Sequence, residues 1–356
     1  MNLPAHGANP RQLYEHLGIP IPETYVDFSV NTNPYVLPLS LWPKQADFCG
    51  WAMEYPDPDA SLLVDLLARI EGIAPEQVLI SNGASECIHL LGQLFSRKRI
   101  GIAEPTFSEY RRACEAHHCK IVSIVSNEES NWKYKLSELT TLLGDVDAFF
   151  LCHPNNPTGT VMTEEDLYAL LVAAEKAETF VVIDEAFYHF WIDGFTALQW
   201  VNDFSHLIVL RSLTKIHHLA GARIGYMVAN KEVIAQVKAL QPPWSVSRLA
   251  QQLALHFLPM NEFVAQTKRM IASERERITT ILSEYGYYVS PSVVNFYLLR
   301  LPNRSTEALL YHLLQKGIVP RHTMNFRGLD GHYLRLAVKT KEENDQLLHV
   351  LRRWAQ

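Results

Sequence analysis

Between about residue 78 and residue 230, short apolar runs alternate with longer stretches of helical spacing. The runs are VLIS (78–81), RIGIAE (99–104), KIVSIV (120–125), DAFFLC (147–152), TFVVID (179–184), HLIVLRS (206–212) and IGYMVA (224–229). They are continuously apolar and do not alternate with polar residues, as expected of strands covered by helices on both faces. Strands alternating with helices predict an α/β architecture around a mostly parallel sheet of seven strands. In such a sheet, ligands bind at the carboxyl ends of the strands.

After Pro242 and Pro243 the pattern changes to one long helical stretch, Ser247 to Glu284, rich in Arg, Glu and Gln. Beyond it, YYVSPSVVNFYLLRL, GIVPRHT and HYLRLAV interleave with the helical STEALLYHLLQKG and TKEENDQLLHVLRRW, which predicts a smaller α+β unit. The first 45 or so residues have little regular pattern, and VNTNPYVLP (30–38) and YPDPD (55–59) read as loops by their proline content. The expected division is an arm over 1–45 that joins the small domain, a large domain over 46–245, a connecting helix over 246–284 and a small domain over 285–356. A chain of 356 residues suits about two domains.

Composition narrows the function. With 48% hydrophobic residues and a net charge of −6, the chain has enough apolar surface to fold and no repeat of solenoid period. Balanced Lys+Arg (32) and Asp+Glu (38) give no field for nucleic acid, so any anion must be held by a local site. No apolar run approaches the roughly 18 residues of a membrane helix. MNLPAHGANP has no basic segment leading into an apolar one, so no secretory leader is expected. Five cysteines at irregular spacing (Cys49, Cys87, Cys114, Cys119, Cys152) read as free thiols, and the expected location is cytoplasmic.

Four loops at predicted strand ends carry chemistry. Lys215, in RSLTKIHHLAGARIGY, follows a strand among Ser212 and Thr214, with Arg223 eight residues on. It suits a Schiff base beside a bound phosphate, or is a surface lysine after a strand. Asp184 ends the strand VVID, where a buried carboxylate needs a partner such as a protonated pyridine nitrogen, unless it caps a helix or forms a strand-end ion pair. Ser81-Asn82-Gly83-Ala84-Ser85-Glu86 opens a helix whose N-terminal N–H groups favour phosphate, though any βα loop with a serine cap looks alike. Asn155-Asn156-Pro157-Thr158-Gly159 reads as a turn whose two side-chain amides are free to bond a ring hydroxyl.

Lysine, carboxylate, asparagine and phosphate nest, in this order, resemble fold-type I pyridoxal-phosphate enzymes, the aspartate aminotransferase superfamily, over nearly the whole chain. The resemblance implies pyridoxal 5'-phosphate as cofactor, on a large domain with the seven-stranded sheet and a small α+β domain. Lys215 would be the Schiff-base lysine, Asp184 the partner of the pyridine nitrogen and Asn156 that of the ring hydroxyl. Ala84, Ser85, Ser212, Thr214 and Arg223 would hold the phosphate. Phe107 would stack on the ring, with Tyr110 in reserve, and Tyr55 of YPDP would reach the phosphate across a homodimer interface. Arg335, in YLRLAV, would clamp the substrate carboxylate, a task suited to a bidentate guanidinium; otherwise it is an arginine on an exposed edge strand.

Within the superfamily the chain is similar to two branches, the L-threonine-O-3-phosphate decarboxylases of cobalamin synthesis and the histidinol-phosphate aminotransferases. Four features favour the decarboxylases. His6-Gly7-Ala8-Asn9 is similar to their HGGN, with Ala8 replacing a glycine, and DFSVNTNP (27–34) to their FSxNxNP. DEAF puts Phe187 where most aminotransferases of this branch have a tyrosine, and Arg321 followed by Asn325-Phe326-x-Gly328-Leu329 resembles R-x3-NF-x-GL. A small phosphorylated amino acid is then the expected substrate, with His6, Asn31, Asn156, Asn295, Arg321 and Arg335 as its ligands. His6 near the terminus, Arg321 as a helix cap and Asn295 bonding backbone are the plainer readings.

Other groups carry less. Cys114, His117, His118 and Cys119 crowd one predicted helix end without a second ligand pair at zinc spacing, so no metal is expected. His217 and His218 receive no role, Arg327 is expected to face solvent, and Trp42, Trp51 and Trp244 are expected at the domain junction. A cofactor-binding regulator without turnover would carry a DNA-binding domain, and no basic recognition helix is legible.

Overall fold

The computed structural model describes residues 3–356; Met1 and Asn2, the start of the arm expected over 1–45, lie outside the described residues. All seven predicted runs are strands of one sheet, in the spatial order Val78–Ser81, Gly225–Ala229, Leu207–Ser212, Phe180–Asp184, Ala148–Cys152, Arg99–Glu104, Lys120–Val125. Five neighbours from Leu207–Ser212 to Lys120–Val125 pair in parallel, and Gly225–Ala229 runs antiparallel to both its neighbours.

Alternation of side chains across the sheet explains why the runs are apolar throughout. Phe149, Leu151, Val181, Ile183 and Val209 belong to one apolar cluster, and Phe150, Cys152, Val182, Ile208 and Leu210 to another. Burying each such large side chain stabilises the fold by about 1.5–3 kcal/mol. The strand Lys120–Val125 departs from the expected full burial, because it has one neighbour and its end residues are exposed.

The long helical stretch predicted over Ser247–Glu284 is two helices, Arg248–Phe257 and Asn261–Glu284. Pro259 falls between them, where a residue without an N–H cannot continue the ladder. The arm also holds more structure than its pattern suggested. Pro10–Leu17 is a helix, with the Asn9 side chain accepting from Gln12 N and Gly18 closing it at φ 64°, an arrangement whose signals were present in the sequence.

The C-terminal unit has a four-stranded antiparallel sheet in the order Arg321–His322, Leu334–Ala337, Phe296–Arg300, Tyr288–Val289. Leu309, Leu313, Leu347 and Leu351 of the helices Thr306–Gln315 and Lys341–Ala355 pack with Phe296 and Leu336 in a separate apolar cluster. The arm joins this unit through Val26–Asp27, which pairs in parallel with Ile318–Val319. Among the described residues, no helix is long and apolar enough to cross a membrane, and no cluster of metal-ligating residues occurs. All five cysteines are free thiols.

Candidate active site

The carboxyl ends of Ala148–Cys152, Phe180–Asp184 and Leu207–Ser212 open into a cavity of about 460 Å³. Every predicted site residue lines it except Tyr55 and Asn295. The lining spans the chain from His6 to Arg335, so the arm, the large sheet and the small domain all contribute.

One end is built for an anion. The helix Ala84–Leu94 begins at the cavity wall, after Gly83 at φ 75°. A Cβ on Gly83 would lie 2.6 Å from Arg223 Nη2, so glycine is what lets this guanidinium approach the turn. Gly225 plays the same part from behind, since its Cβ would meet Ala84 N at 2.6 Å. Ser212 Oγ and Thr214 Oγ1, both on the cavity wall, lie 2.8 Å apart. Arg223 itself has φ 58° and bonds Ala220 O at 3.1 Å, leaving its other amine toward the nest.

Asp184 sits at the centre, 4% exposed. Its Oδ1 accepts from Ala186 N at 2.9 Å and its Oδ2 from Tyr110 Oη at 2.7 Å. Burial pushes its carboxyl above the usual range, against the two hydrogen bonds and the charge of Lys215. A buried carboxylate in that state is one to which a cationic ring nitrogen would add the missing charge partner. Phe107 and Tyr110 both line the cavity; the Tyr110 hydroxyl is engaged with Asp184 and its ring is stacked on Phe150 at 5.4 Å.

Lys215 is half-buried, against the surface reading, and its Nζ lies 3.5 Å from Asn31 Oδ1 and 5.6 Å from the Phe187 ring centroid. Burial, with the positive charges of Arg335 and Arg223, lowers its amine to about 8. Phe187 is buried and packs edge-on to Phe296 at 4.8 Å, so that position sends no hydroxyl toward the cavity.

At the other end stand Arg335 and Arg321, both buried. Arg335 lies in a strand paired on both sides rather than at an edge. Its Nη1 donates to Asn156 Oδ1 at 2.6 Å and its Nη2 to Ser29 O at 2.7 Å, while Nε is buried without a partner. Burial lowers it to about 9, with Arg321 adding repulsion. Arg321 donates to Pro4 O, Ala5 O and Asn325 Oδ1, so it pins the arm rather than capping a helix. His6 lines the cavity, its Nε2 3.0 Å from Glu109 Oε1.

Some expectations change. Asn155 is not free: its amide donates to Pro105 O and Thr158 Oγ1, which leaves Asn156 as the asparagine that faces the cavity. Asn295 does not line the cavity; its amide donates to Asn31 O at 2.8 Å and so supports the wall from behind, because the chain places it one residue before a buried strand. Tyr55 is 83% exposed beside Trp244 and lies outside its own chain's cavity. Trp42 and Trp51 join a cluster with Phe257 and Leu219, whereas Trp244 is half in solvent. His217 is buried and held down to about 4 by burial, His218 bonds Asn33 O, and Arg327 faces solvent as expected.

Sequence reasoning missed the tie of Tyr110 to Asp184, the docking of His6 on Glu109 and the role of Ser29, which accepts Ala8 N on Oγ and Arg335 on its carbonyl. One signal was available for the arm: Ala8, standing where the resembling motif has glycine, has φ 64°, a conformation glycine adopts without cost.

A family model described as aminotransferase class I and II matches residues 23–351. Threonine-phosphate decarboxylase of Salmonella typhimurium is 32% identical over 350 residues, 98% of this chain and 96% of that protein. Histidinol-phosphate aminotransferase of Thermoanaerobacter pseudethanolicus is 33% identical over 313 residues, 84% and 83% respectively. The crystal structure of histidinol-phosphate aminotransferase from Clostridium acetobutylicum superposes with a TM-score of 0.86 at 30% identity, covering 92% of this chain and 98% of that one. A lysine, a buried aspartate and an anion nest at the strand ends of this fold agree with those likenesses, and the chain belongs to the class I and II aminotransferase family of pyridoxal-phosphate-dependent enzymes.

Proposed function

We propose that this chain decarboxylates L-threonine O-3-phosphate to (R)-1-amino-2-propanol O-2-phosphate and carbon dioxide, as a cytoplasmic step of cobalamin synthesis. The observation that carries the reading is the charge of the cavity: Lys215, Arg223, Arg321 and Arg335 line it, with His6 as a further donor, and Asp184 is the one carboxylate among its described lining residues. In a protein of net charge −6, that concentration of cations fits a phosphorylated cofactor together with a substrate that carries a phosphate and a carboxylate.

The residues fit pyridoxal phosphate. Ala84, Ser85, Ser212, Thr214 and Arg223 would hold its phosphate, Asp184 its ring nitrogen, Asn156 its ring oxygen and Phe107 a ring face. When bound, the cofactor supplies an aldehyde that takes up amines and a ring that accepts electron density from the substrate Cα. Lys215, with its amine near 8, exists in both protonation states close to neutral pH, which suits proton exchange at Nζ. Arg335 offers a planar fork to the substrate carboxylate, and Arg321 offers charge, with His6 a ring N–H, to the distant phosphate. Anchoring both ends of the substrate sets which bond at Cα stands perpendicular to the ring, and that orientation selects the reaction. Phe187 supports decarboxylation by the resemblance it shares with DEAF-containing decarboxylases.

Tyr55 and nearby Met53, 83% and 81% exposed, support a homodimer in which Tyr55 reaches the partner's cofactor phosphate. Sedimentation of the loaded protein as a monomer would remove that part.

The test is incubation of the cofactor-loaded protein with L-threonine O-3-phosphate and no keto acid, following carbon dioxide and the aminopropanol phosphate. Catalytic release of both, lost in Lys215→Ala, is expected. Turnover only with histidinol phosphate and 2-oxoglutarate would replace the decarboxylase reading with the aminotransferase one.

A further inference from the structure

Behind the cavity, on the other face of the sheet, lies a buried polar group with no part in the proposed chemistry. Asp184 and Ser212 line the cavity, whereas Arg211, before Ser212, points away from it by strand alternation and Glu185, just past the end of the strand at Asp184, pairs with it outside the lining. Both are at most 1% exposed. Arg211 Nε donates to Glu185 Oε2 at 2.7 Å, and Arg211 Nη2 to Thr196 Oγ1 at 2.7 Å. Thr196 Oγ1 in turn donates to Glu185 Oε2 at 2.8 Å, which closes a ring of three residues. Ala197 N donates to Glu185 Oε1 at 2.7 Å, and the Arg211 guanidinium lies 4.2 Å above the ring of Tyr188, just after Phe187.

An ion pair this deep is poor value as a source of stability, because desolvating both charges offsets most of their attraction, and apolar replacements of the same volume are often as stable or more so. What it does supply is directional constraint. The pair joins the ends of two adjacent strands at the residues next to Asp184 and Ser212, three residues before Lys215. It also underpins the turn Glu185–Phe190, which carries Ala186 and Phe187 on the cavity wall.

We propose that Glu185, Arg211 and Thr196 form a positioning cluster that sets the spacing between Asp184 and Lys215 across the cavity, so that the carboxylate and the amine meet the two ends of the cofactor ring together. The proposal rests on the pyridoxal-phosphate reading of the cavity. None of the three touches the ligand space, so each acts through its neighbour and not by contact.

The experiment compares the unsubstituted holoprotein with Glu185→Leu/Arg211→Met and with Arg211→Lys. Three quantities are read: the melting temperature, the rate at which pyridoxal phosphate leaves the protein, and the pH midpoint of the visible band of the bound cofactor. The double variant is expected to melt at or above the original temperature, to lose cofactor about tenfold faster and to shift the midpoint by about one pH unit, since small displacements in a site carry large functional effects. Arg211→Lys keeps the charge and loses the fork; it is expected to move the same two cofactor quantities by about threefold and about half a unit. A stable double variant with unchanged cofactor loss and midpoint would overturn the proposal, as would Arg211→Lys without effect should the double variant fail to fold. An unsubstituted protein that develops no bound-cofactor band would overturn both this proposal and the reading beneath it, and is distinguished by needing no variant.

Discussion

The two ends of the cavity are held by different kinds of structure. Asp184 and Ser212 stand at the ends of strands paired on both sides, Lys215 lies in the turn three residues beyond Ser212, and the carboxylate is 4% exposed. His6 stands on an irregular arm, its side chain 45% exposed, and the arm is tied down chiefly by side chains: Arg321 on Pro4 O and Ala5 O, Asn325 on Ala5 O, and Glu109 on His6. Segments held by few bonds open at lower free energy than core strands. Under the proposed function the strand-held side would keep the cofactor, while at the substrate end Arg335 is strand-held as well and the arm bearing His6 is the part that opens most easily.

The comparison can be broken at four points. Lys215→Ala should cost the most, on the order of 10⁴-fold or more in turnover, with loss of the visible band of bound cofactor; turnover within tenfold of the original would remove Lys215 from the chemistry.

Arg335→Lys should come next. It keeps the charge and loses the two-pronged geometry, so kcat/KM for the phosphorylated substrate should fall about 100-fold while the affinity for pyridoxal phosphate stays within about twofold. An equal fall in cofactor affinity, read by titration, would mean that the two ends are not separate.

The third concerns pH. Burial, with Arg335 and Arg223, lowers Lys215 to about 8 from the 10.5 of a free lysine. Only the neutral amine attacks the cofactor aldehyde, so the rate of cofactor capture by the empty protein should rise about tenfold per pH unit below 8 and level off above it. A rate still climbing at pH 10 would describe a solvated lysine.

The smallest effect is expected at the arm. Glu109 faces His6, His89 and Arg112, and Glu109→Gln removes its charge without changing its size. KM for the phosphorylated substrate should rise about threefold to tenfold, as for loss of charge-assisted bonds that are partly exposed, with kcat nearly unchanged and faster proteolysis near residue 6. A fall in kcat alone would place Glu109 with the rigid end.

How much of this was legible varies by residue. Asp184, Asn156 and Lys215 could be read because each follows an apolar run, and a strand end in a covered parallel sheet is where ligands bind. The break at Pro259 and the helix Pro10–Leu17 were marked by local signals outweighed by a longer pattern. Only the resemblance separated Asn156 from Asn155; the residues alone left both amides open, since the difference lies in Pro105, 50 residues away, which takes the amide of Asn155. Tyr110 was read only as a reserve for Phe107, and the bond of its hydroxyl to Asp184, 74 residues along the chain, has no signal in the sequence.

By itself, then, the sequence determined the strands and their order along the chain, the type of chemical group at each strand end and the family to which the chain belongs, because periodicity, turn residues and short motifs are local properties. Only the tertiary structure decided that His6 meets Glu109, that Arg335 spans Ser29 and Asn156, that Asn295 supports the wall from behind and that Lys215 is shifted to about 8. Burial and electrostatic neighbours are created when segments as much as 320 residues apart pack together, and they do not exist in the chain before it folds.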